Sequence, residues 1–184
     1  DTKLQSIIHQ HMQGHKGAVV ATNPINGEIL ALYSAPSYDP NIFSNPTLRV
    51  HINKYLHDNN KPLFNRAIQG LFPPASTIKP FLALHALQLH TINPDTKIND
   101  PGYFRFGNSE YIYHNWQRQG HGNVDVKKAI TLSNDTFFYH LALKLGIDNI
   151  YSILTQYGFG KKTNIDLPGE AQGLVPNRQW KEQQ

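Results

Sequence analysis

The first third of the chain places a polar segment before two short apolar runs. In the first sixteen residues the apolar side chains fall at helical spacing, which predicts an amphipathic helix: Leu4, Ile7, Ile8 and Met12. Residues 17–22 and 28–34 are rich in β-forming residues and flank the pair Asn26-Gly27, a pattern typical of a β-hairpin. Both runs are almost continuously apolar, which predicts a sheet covered on both faces.

A polar segment separates this hairpin from the next apolar stretch. Residues 35–62 contain four prolines and many Asn, Asp and Ser residues, so we expect a long surface loop with one helical turn. From residue 75 to 90 the apolar positions lie almost all the way round a helix. This pattern predicts a buried helix, ended by Asn93-Pro94.

The second half of the chain reads as mainly helical. Residues 95–123 have no steady period and are expected to be irregular, whereas helical patterns return over 124–157, with breaks near 133–135 and at Gly146. Residues 161–184 are expected to be extended and loop-like. The sum is a mixed α/β (α+β) chain. Because a lone hairpin is too small a sheet to be stable, at least one further strand is expected from outside residues 1–184.

Composition narrows the possible functions. The chain has 184 residues, of which 39% are hydrophobic and 16% charged, as in a single globular domain. Its net charge of +4 comes from scattered basic residues, so no nucleic-acid partner is expected. The absence of cysteine excludes a thiol nucleophile, disulfides and thiolate metal sites. Without a signal-peptide pattern or a membrane-length apolar run, we expect a cytosolic protein or a sequence that lacks its targeting segment.

One candidate nucleophile lies at the start of the predicted buried helix. Ser76 and Lys79 are three residues apart, so they share one helical face, and the helix dipole there favours developing negative charge. A lysine in this position could take the proton of the serine hydroxyl. The alternative is an ordinary serine cap followed by a surface lysine, and the spacing alone does not decide between them.

A second candidate group, Ser133-Asn134-Asp135, precedes another predicted helix. Alone it is a good helix cap and nothing more. Together with the Ser76 motif it matches two of the three elements of the serine acyl-enzyme set, in which a second serine can relay a proton to the leaving amine.

The ten histidines raise the question of a metal site. His9 with His11, or Asp100 with His114 and His121, could be imagined as ligands. Without cysteine or a tight pair of histidines, we expect no metal and no other cofactor. A site that includes Asp100 and His121 stays open as an alternative, because that region is poor in regular structure.

Several further stretches resemble the class B penicillin-binding proteins. They are residues 35–41, Asn65-Arg66-Ala67, residues 73–80 and residues 165–170. Asp100-Pro101-Gly102, Gly120-His121-Gly122 and residues 135–139 are similar to the elongation-type members, the transpeptidases of the rod-elongation machinery in Gram-negative bacteria. The resemblance runs from about residue 17 to the end of the chain, and its motifs occur in the expected order.

The resemblance implies both a fold and a set of roles. The fold is the penicillin-binding serine acyl-transferase fold, with helices packed on an antiparallel sheet. Ser76 would be acylated by the D-Ala-D-Ala end of a peptidoglycan stem peptide or by β-lactam antibiotics, and its backbone N–H would supply half of an oxyanion hole. Lys79 would be the general base, Ser133 would pass a proton to the departing D-alanine, Asp135 would complete the motif and Asn134 would bind substrate.

The resemblance also implies partners and a location. They are a glycan-polymerising membrane partner, the elongation-complex proteins and the periplasmic face of the inner membrane. The rival assignments are a serine β-lactamase, which usually carries an apolar residue where Asp135 stands, and a β-lactam-sensing receptor domain. A plain binding or interaction module is a further alternative, and it would require Ser76 to be unreactive.

One part of the family pattern is missing. The third motif, Lys-Thr-Gly or Lys-Ser-Gly, does not occur, since Lys161-Lys162-Thr163-Asn164 lacks the glycine and precedes the 165–170 stretch. In the family this motif lies downstream, on a strand that completes the sheet. We therefore expect residues 1–184 to be a partial transpeptidase domain, without its C-terminal strands and crippled or inert alone.

Overall fold

A computed structural model describes all residues from 1 to 184. The chain divides into two compact units. The first comprises Asp1–Leu71 with Asn164–Ala171, and the second comprises Phe72–Thr163 with Gln172–Gln184.

The first unit is built on the predicted helix and hairpin, and both are confirmed. Helix α1 spans Thr2–His11 and begins at Asp1, whose carboxylate accepts the Leu4 N–H. Strands β1 (Gly17–Thr22) and β2 (Ile29–Ala35) pair antiparallel. Apolar residues of α1 and of one face of the hairpin form a small core: Ile8, Ala31, Tyr33 and Ala35.

The expectation that both faces of this hairpin are covered is wrong for this chain. Burial alternates along β1, and Val20 is 48% exposed. The run is apolar on both faces, but the core side chains of the hairpin lie on the face that packs against α1.

The segment after the hairpin holds more helix than expected. Three short helices lie in residues 41–69: α2 (Asn41–Ser44), α3 (Ile52–Leu56), which follows a 3₁₀ turn at Arg49–His51, and α4 (Arg66–Gln69). The buried Arg66 guanidinium donates to the backbone carbonyls of Asn60 and Lys61. This contact ties the preceding loop to α4.

The second unit contains the remaining elements. In chain order they are a 3₁₀ turn at Ala75–Ile78, α5 (Lys79–Gln88), β3 (Ile98–Asp100), β4 (Tyr103–Arg105), β5 (Ile112–His114), β6 (Gly122–Val124), α6 (Val126–Thr131), α7 (Asp135–Gln156) and α8 (Arg178–Glu182). Strand β3 pairs with β6 and β4 with β5, both antiparallel.

Helices α5, α6 and α7 surround the main core. Its most buried side chains come from these helices and from β6: Ala83, Ala86, Val124, Ala129, Phe137, Leu141 and Ile153. The predicted break at Gly146 is confirmed, since α7 passes through a non-helical residue there (φ 72°). Helix α5 ends at Gln88, earlier than predicted.

Two expectations for this unit are wrong. Four three-residue strands lie in residues 98–124, where irregular chain was expected over 95–123. The tail contains α8, whose first turn is capped by Asn177. Elements this short leave too few positions for a hydrophobic period to show. None of the helices combines the length and the hydropathy needed to span a lipid bilayer.

Candidate active site

Ser76 lies on a strained turn in the second unit. The residue before it, Ala75, has φ 49°, in the left-handed region that L-residues other than Asn and Asp rarely adopt. Pro74 contributes its carbonyl to the same turn, where it accepts from the Thr77 hydroxyl. Ser76 is exposed, and the turn presents its hydroxyl at the surface in front of α5.

Lys79 is the first residue of α5 and is buried at 8% exposure. Its Nζ donates to the backbone carbonyl of Ser133 at 2.8 Å and to Ser133 Oγ at 3.2 Å. It also forms an ion pair with Asp135 Oδ1 at 2.6 Å. The ammonium lies 5.4 Å from the centre of the Phe138 ring, so its charge is satisfied on several sides.

A hydrogen bond joins the two serines. Ser133 Oγ lies 2.9 Å from Ser76 Oγ, so Ser76, Ser133, Lys79 and Asp135 form one continuous chain of polar contacts. Hydroxyl hydrogens can rotate, and the same contacts can therefore carry a proton from Ser76 towards Lys79. The structure brings these four predicted residues together, although Ser76 and Ser133 are 57 positions apart.

Ser133 also lies on a strained turn. Its φ is 49°, between the end of α6 and the start of α7. Holding a non-glycine residue there costs about 1–2 kcal/mol, so surrounding contacts must hold the turn in place.

Asn134 occupies a different environment from the one expected of a substrate-binding residue. Its side chain is fully buried, and its Oδ1 caps α7 by accepting the Phe137 N–H at 2.7 Å. Its Nδ2 donates to Asp100 Oδ2 at 2.6 Å. This geometry gives no support to the prediction that Asn134 contacts substrate.

Asp100 is the centre of a buried polar cluster behind the Ser133 turn. Its carboxylate accepts hydrogen bonds from Asn115 Nδ2 at 2.7 Å, from the Gly102 N–H at 2.8 Å and from the backbone N–H of His121 at 3.0 Å. His121 Nδ1 lies 2.9 Å from the same carboxylate, and we assign the ring hydrogen to this nitrogen because it faces an anion.

These donors control the ionisation of Asp100. Burial alone would raise the pKa of its carboxyl, but the neighbouring groups reverse this effect: Thr136, His121, the Gly102 N–H and Asn134. Together they hold the pKa of Asp100 well below its ordinary value of 3.8. The Thr136 hydroxyl contributes although it has no partner of good hydrogen-bond geometry. The cluster is therefore organised around a buried anion.

The metal candidates do not converge on a site. No group of three or more histidine, aspartate and glutamate side chains is arranged to hold a metal ion. His9 Nδ1 hydrogen-bonds to the Tyr33 hydroxyl at 2.9 Å, and His114 is exposed on β5. Asp100 and His121 do meet, but the nearby amides of Asn115 and Asn134 present their nitrogens to the carboxylate.

Asn115 and Trp116 also belong to the site, although neither was predicted from the sequence. Asn115 Oδ1 accepts the Asp135 N–H at 3.2 Å, and Trp116 Nε1 donates to the Leu132 carbonyl at 2.9 Å. Both residues lie in the segment that has no hydrophobic period. Their adjacency to His114 in a run of polar and aromatic residues was the only available signal.

Comparisons with known proteins identify the family of proteins to which this site belongs. Residues 17–184 match the family described as penicillin binding protein transpeptidase domain, and the chain belongs to that family.

Similar proteins point to one branch of the family. The chain is 44% identical over 181 residues to the peptidoglycan D,D-transpeptidase MrdA of Acinetobacter baumannii, which covers 98% of this chain. The crystal structure of Pseudomonas aeruginosa PBP2 in complex with WCK 5153 matches all of the chain with a TM-score of 0.89 and 41% identity. A complex between PBP2 and MreC from Helicobacter pylori matches all of it with a TM-score of 0.92 and 33% identity.

These comparisons confirm the predicted family and fold class. They also show that the chain corresponds to only part of its relatives, since it spans 27% of the length of the Acinetobacter relative. It likewise covers 40% of the Pseudomonas structure and 34% of the Helicobacter one.

Proposed function

We propose that the protein containing this chain is a peptidoglycan D,D-transpeptidase that works through a serine acyl-enzyme, with Ser76 as nucleophile. The observation that carries this proposal is the continuous contact from Ser76 Oγ through Ser133 Oγ to Lys79 Nζ, at 2.9 and 3.2 Å. A helix cap alone would not need a buried lysine that donates to the Ser133 hydroxyl. The similarity to proteins that bear this activity as their name supports the same reaction.

In the first half-reaction, Ser76 Oγ attacks the carbonyl carbon of the penultimate D-alanine of a stem peptide. The serine proton leaves through Ser133 towards Lys79, and the bond to the terminal D-alanine breaks as its nitrogen takes up a proton from the same chain of contacts. The products are an ester on Ser76 and free D-alanine.

Asp135 has a defined part in this step. Lys79 takes up the serine proton as a neutral amine, and Asp135 Oδ1, 2.6 Å from Nζ, stabilises the ammonium ion that forms. In the second half-reaction an amine of a neighbouring stem peptide attacks the ester. Its proton returns to Ser76 Oγ, which leaves as the hydroxyl.

The same serine should react with β-lactam antibiotics. Attack of Ser76 Oγ on the strained amide opens the ring and leaves an ester, without a leaving D-alanine. A long-lived ester fits a transpeptidase or a sensor, whereas rapid loss of the ester would indicate a β-lactamase. Transfer of a bound acyl group to an amine acceptor separates the transpeptidase from the sensor.

We extend the proposal to location and partners on the basis of the family. The protein would act at the periplasmic face of the inner membrane, with a glycan-polymerising membrane protein and elongation-complex proteins as partners. The complex of PBP2 with MreC from Helicobacter pylori supports a partner of the second kind.

The experiment that tests this function is intact-mass analysis after incubation with benzylpenicillin. The full-length protein containing this chain is expected to gain the mass of one drug molecule, and the Ser76→Ala variant is expected to gain none. A Ser109→Ala variant, which changes a half-buried serine on the loop between β4 and β5, serves as the matched control and should be acylated like the natural protein.

Residues 1–184 alone are tested beside the full-length protein, and we expect little or no adduct on them because the third family motif is missing. An adduct that persists in the Ser76→Ala variant would refute the assignment of the nucleophile. If the folded full-length protein forms no adduct at all, the acyl-enzyme function is wrong.

A further inference from the structure

The turn that carries Ser133 is held from behind at three points. Trp116 Nε1 donates to the Leu132 carbonyl at 2.9 Å, and the Asp135 N–H donates to Asn115 Oδ1 at 3.2 Å. Between them, Asn134 Nδ2 donates to Asp100 at 2.6 Å. The turn is therefore tied on both sides of Ser133, whose own hydroxyl stays available to Ser76 and Lys79.

The residues that make these three hydrogen bonds all connect to the carboxylate of Asp100. Asn134 bonds to Asp100 directly, and Asn115 bonds to it through Nδ2 at 2.7 Å. Trp116 packs against the ring of His121, with centroids 5.5 Å apart, and His121 in turn bonds to Asp100 at 2.9 Å. Asp100 is 1% exposed, so no water competes strongly for these donors.

The orientation of the two amides favours an anion at this position. Asn115 Oδ1 accepts the N–H groups of Trp116 and Asp135, and Asn134 Oδ1 accepts the N–H of Phe137. With both oxygens committed, the Nδ2 groups of Asn115 and Asn134 face Asp100 Oδ2 at 2.7 and 2.6 Å. They lie farther from His121 Nδ1, at 3.2 and 3.0 Å. A carboxylate accepts all of these donors, whereas a neutral amide in its place would present hydrogens of its own to at least one of them.

Two glycines close the backbone tightly around this carboxylate. Gly102 and Gly120 have φ values of +92° and +74°. A Cβ added to Gly102 would overlap the backbone of Arg118, and one added to Gly120 would overlap the carbonyl of Asp100 itself. The loop between β3 and β6 is thus packed in a way that leaves Asp100 little freedom to move.

We propose that Asp100, acting through Asn115, Asn134 and the His121–Trp116 pair, is the positioning residue that holds the Ser133 hydroxyl between Ser76 and Lys79. The role rests on the proposed acyl-transfer function and assigns to Asp100 no contact with substrate. Since the turn is strained at Ser133, loss of the buried anion lets it relax towards an ordinary backbone conformation. A displacement of the hydroxyl by about 1 Å would slow acylation by about 100-fold.

The test uses the full-length protein and its Asp100→Asn variant, with two readouts. The first is the rate constant of acylation by benzylpenicillin. The final amount of adduct reports how many molecules are folded, whereas the rate constant reports how fast each folded molecule reacts. The second is hydrogen exchange at the backbone amides of Asp135 and Phe137. We expect the variant to be acylated about 100-fold more slowly and these two amides to exchange at least about 10-fold faster.

Two further variants keep the result decisive. Ile153→Ala removes a buried core side chain away from the turn, so it should lower the melting temperature and leave both readouts unchanged. Trp116→Phe removes one hydrogen bond from a side chain that is 62% exposed, so it should fold normally, and we expect acylation about 10-fold slower.

Each outcome bears on the proposal. Equal slowing in Ile153→Ala would mean that general stability controls the rate and would overturn the positioning role, as would unchanged readouts in Asp100→Asn. If Asp100→Asn does not fold, unchanged readouts in Trp116→Phe overturn the role instead. A fall in the natural protein's rate after treatment with a chelator would also overturn it, because a cation would then organise the cluster.

If the natural protein is not acylated at all, the proposed function fails on its own. The exchange of the Asp135 and Phe137 amides then decides separately whether Asp100 holds the turn.

Discussion

At the scale of single residues, backbone strain and catalytic geometry occur at the same positions. Ala75, which precedes Ser76, and Ser133 both have φ 49°. Left-handed conformations at non-glycine residues cost free energy and persist only where surrounding contacts hold them. The two strained turns present the two serine hydroxyls to each other at 2.9 Å.

This strain gives a prediction for Ser133. Ser133→Gly and Ser133→Ala both remove the hydroxyl, so both should slow acylation by benzylpenicillin by about 100-fold. They differ in the backbone, since glycine adopts a positive φ without steric cost and alanine does not. We expect Ser133→Gly to exceed Ser133→Ala by about 1 kcal/mol in the free energy of unfolding, measured with urea.

The pair of variants separates the two roles of the residue. If the glycine variant is acylated at the natural rate, the hydroxyl of Ser133 takes no part in proton transfer. If both variants have equal stability, the backbone at this position carries no strain.

At the scale of elements, the short strands of the second unit act as a frame for the polar cluster. Strand β3 ends at Asp100, β5 ends one residue before Asn115, and β6 begins directly after His121. Paired strands of three residues have little stability of their own. Their contacts with α7 and the cluster around Asp100 hold these three side chains together.

The glycines of this frame give a second prediction. Gly120→Ala should lower the free energy of unfolding by about 3 kcal/mol or more, because its Cβ would overlap the Asp100 carbonyl. Gly107→Ala is the matched control, since Gly107 also has a positive φ (+52°) but faces open space. We expect a loss of about 1 kcal/mol there. Similar losses in urea unfolding of the two variants would contradict the tight packing described around Asp100.

At the scale of the whole molecule, the buried anion makes stability depend on pH. The folded state holds the pKa of Asp100 well below its ordinary value of 3.8 because Thr136, His121, Gly102 and Asn134 outweigh the effect of burial. In the acidic range the unfolded chain therefore binds a proton that the folded chain does not. The contribution of Asp100 to stability is complete above the unfolded pKa and is lost as the pH falls below it towards the folded pKa.

The measurement for this prediction compares thermal unfolding of the natural protein and Asp100→Asn between pH 2 and pH 7. The natural protein should be the more stable of the two by a constant margin above about pH 5, and that margin should shrink as the pH falls below 3.8. A margin that does not change across the acidic range would show that the charge of Asp100 is not what stabilises the fold.

The local elements with strong patterns were predictable from the sequence. Helix α1, the hairpin, α5 and the break of α7 at Gly146 each rest on a hydrophobic period or on a turn pair a few residues long. The family was predictable as well, because several motifs occur in a fixed order along nearly the whole chain. Such patterns are local, so they can be recognised without knowledge of the tertiary packing.

The short strands, α8 and the uncovered face of the hairpin were not predictable. Three-residue strands exist only because longer-range contacts stabilise them, and their own residues carry no period. The apolar run of β1 indicates that a face can be buried, but not whether this chain supplies the group that buries it.

The candidate site was likewise only partly predictable from the sequence. Ser76, Lys79 and Ser133 were predicted as site residues from the sequence, but their spacing left a simple helix cap open, and the resemblance to the family implied acyl transfer. The position of Asn134 facing Asp100, the tie from Asn115 and the hydrogen bond from Trp116 came only from the tertiary structure. Those contacts join segments separated by 16 to 34 residues, and hydrogen bonds between distant polar side chains leave no periodic trace in a sequence.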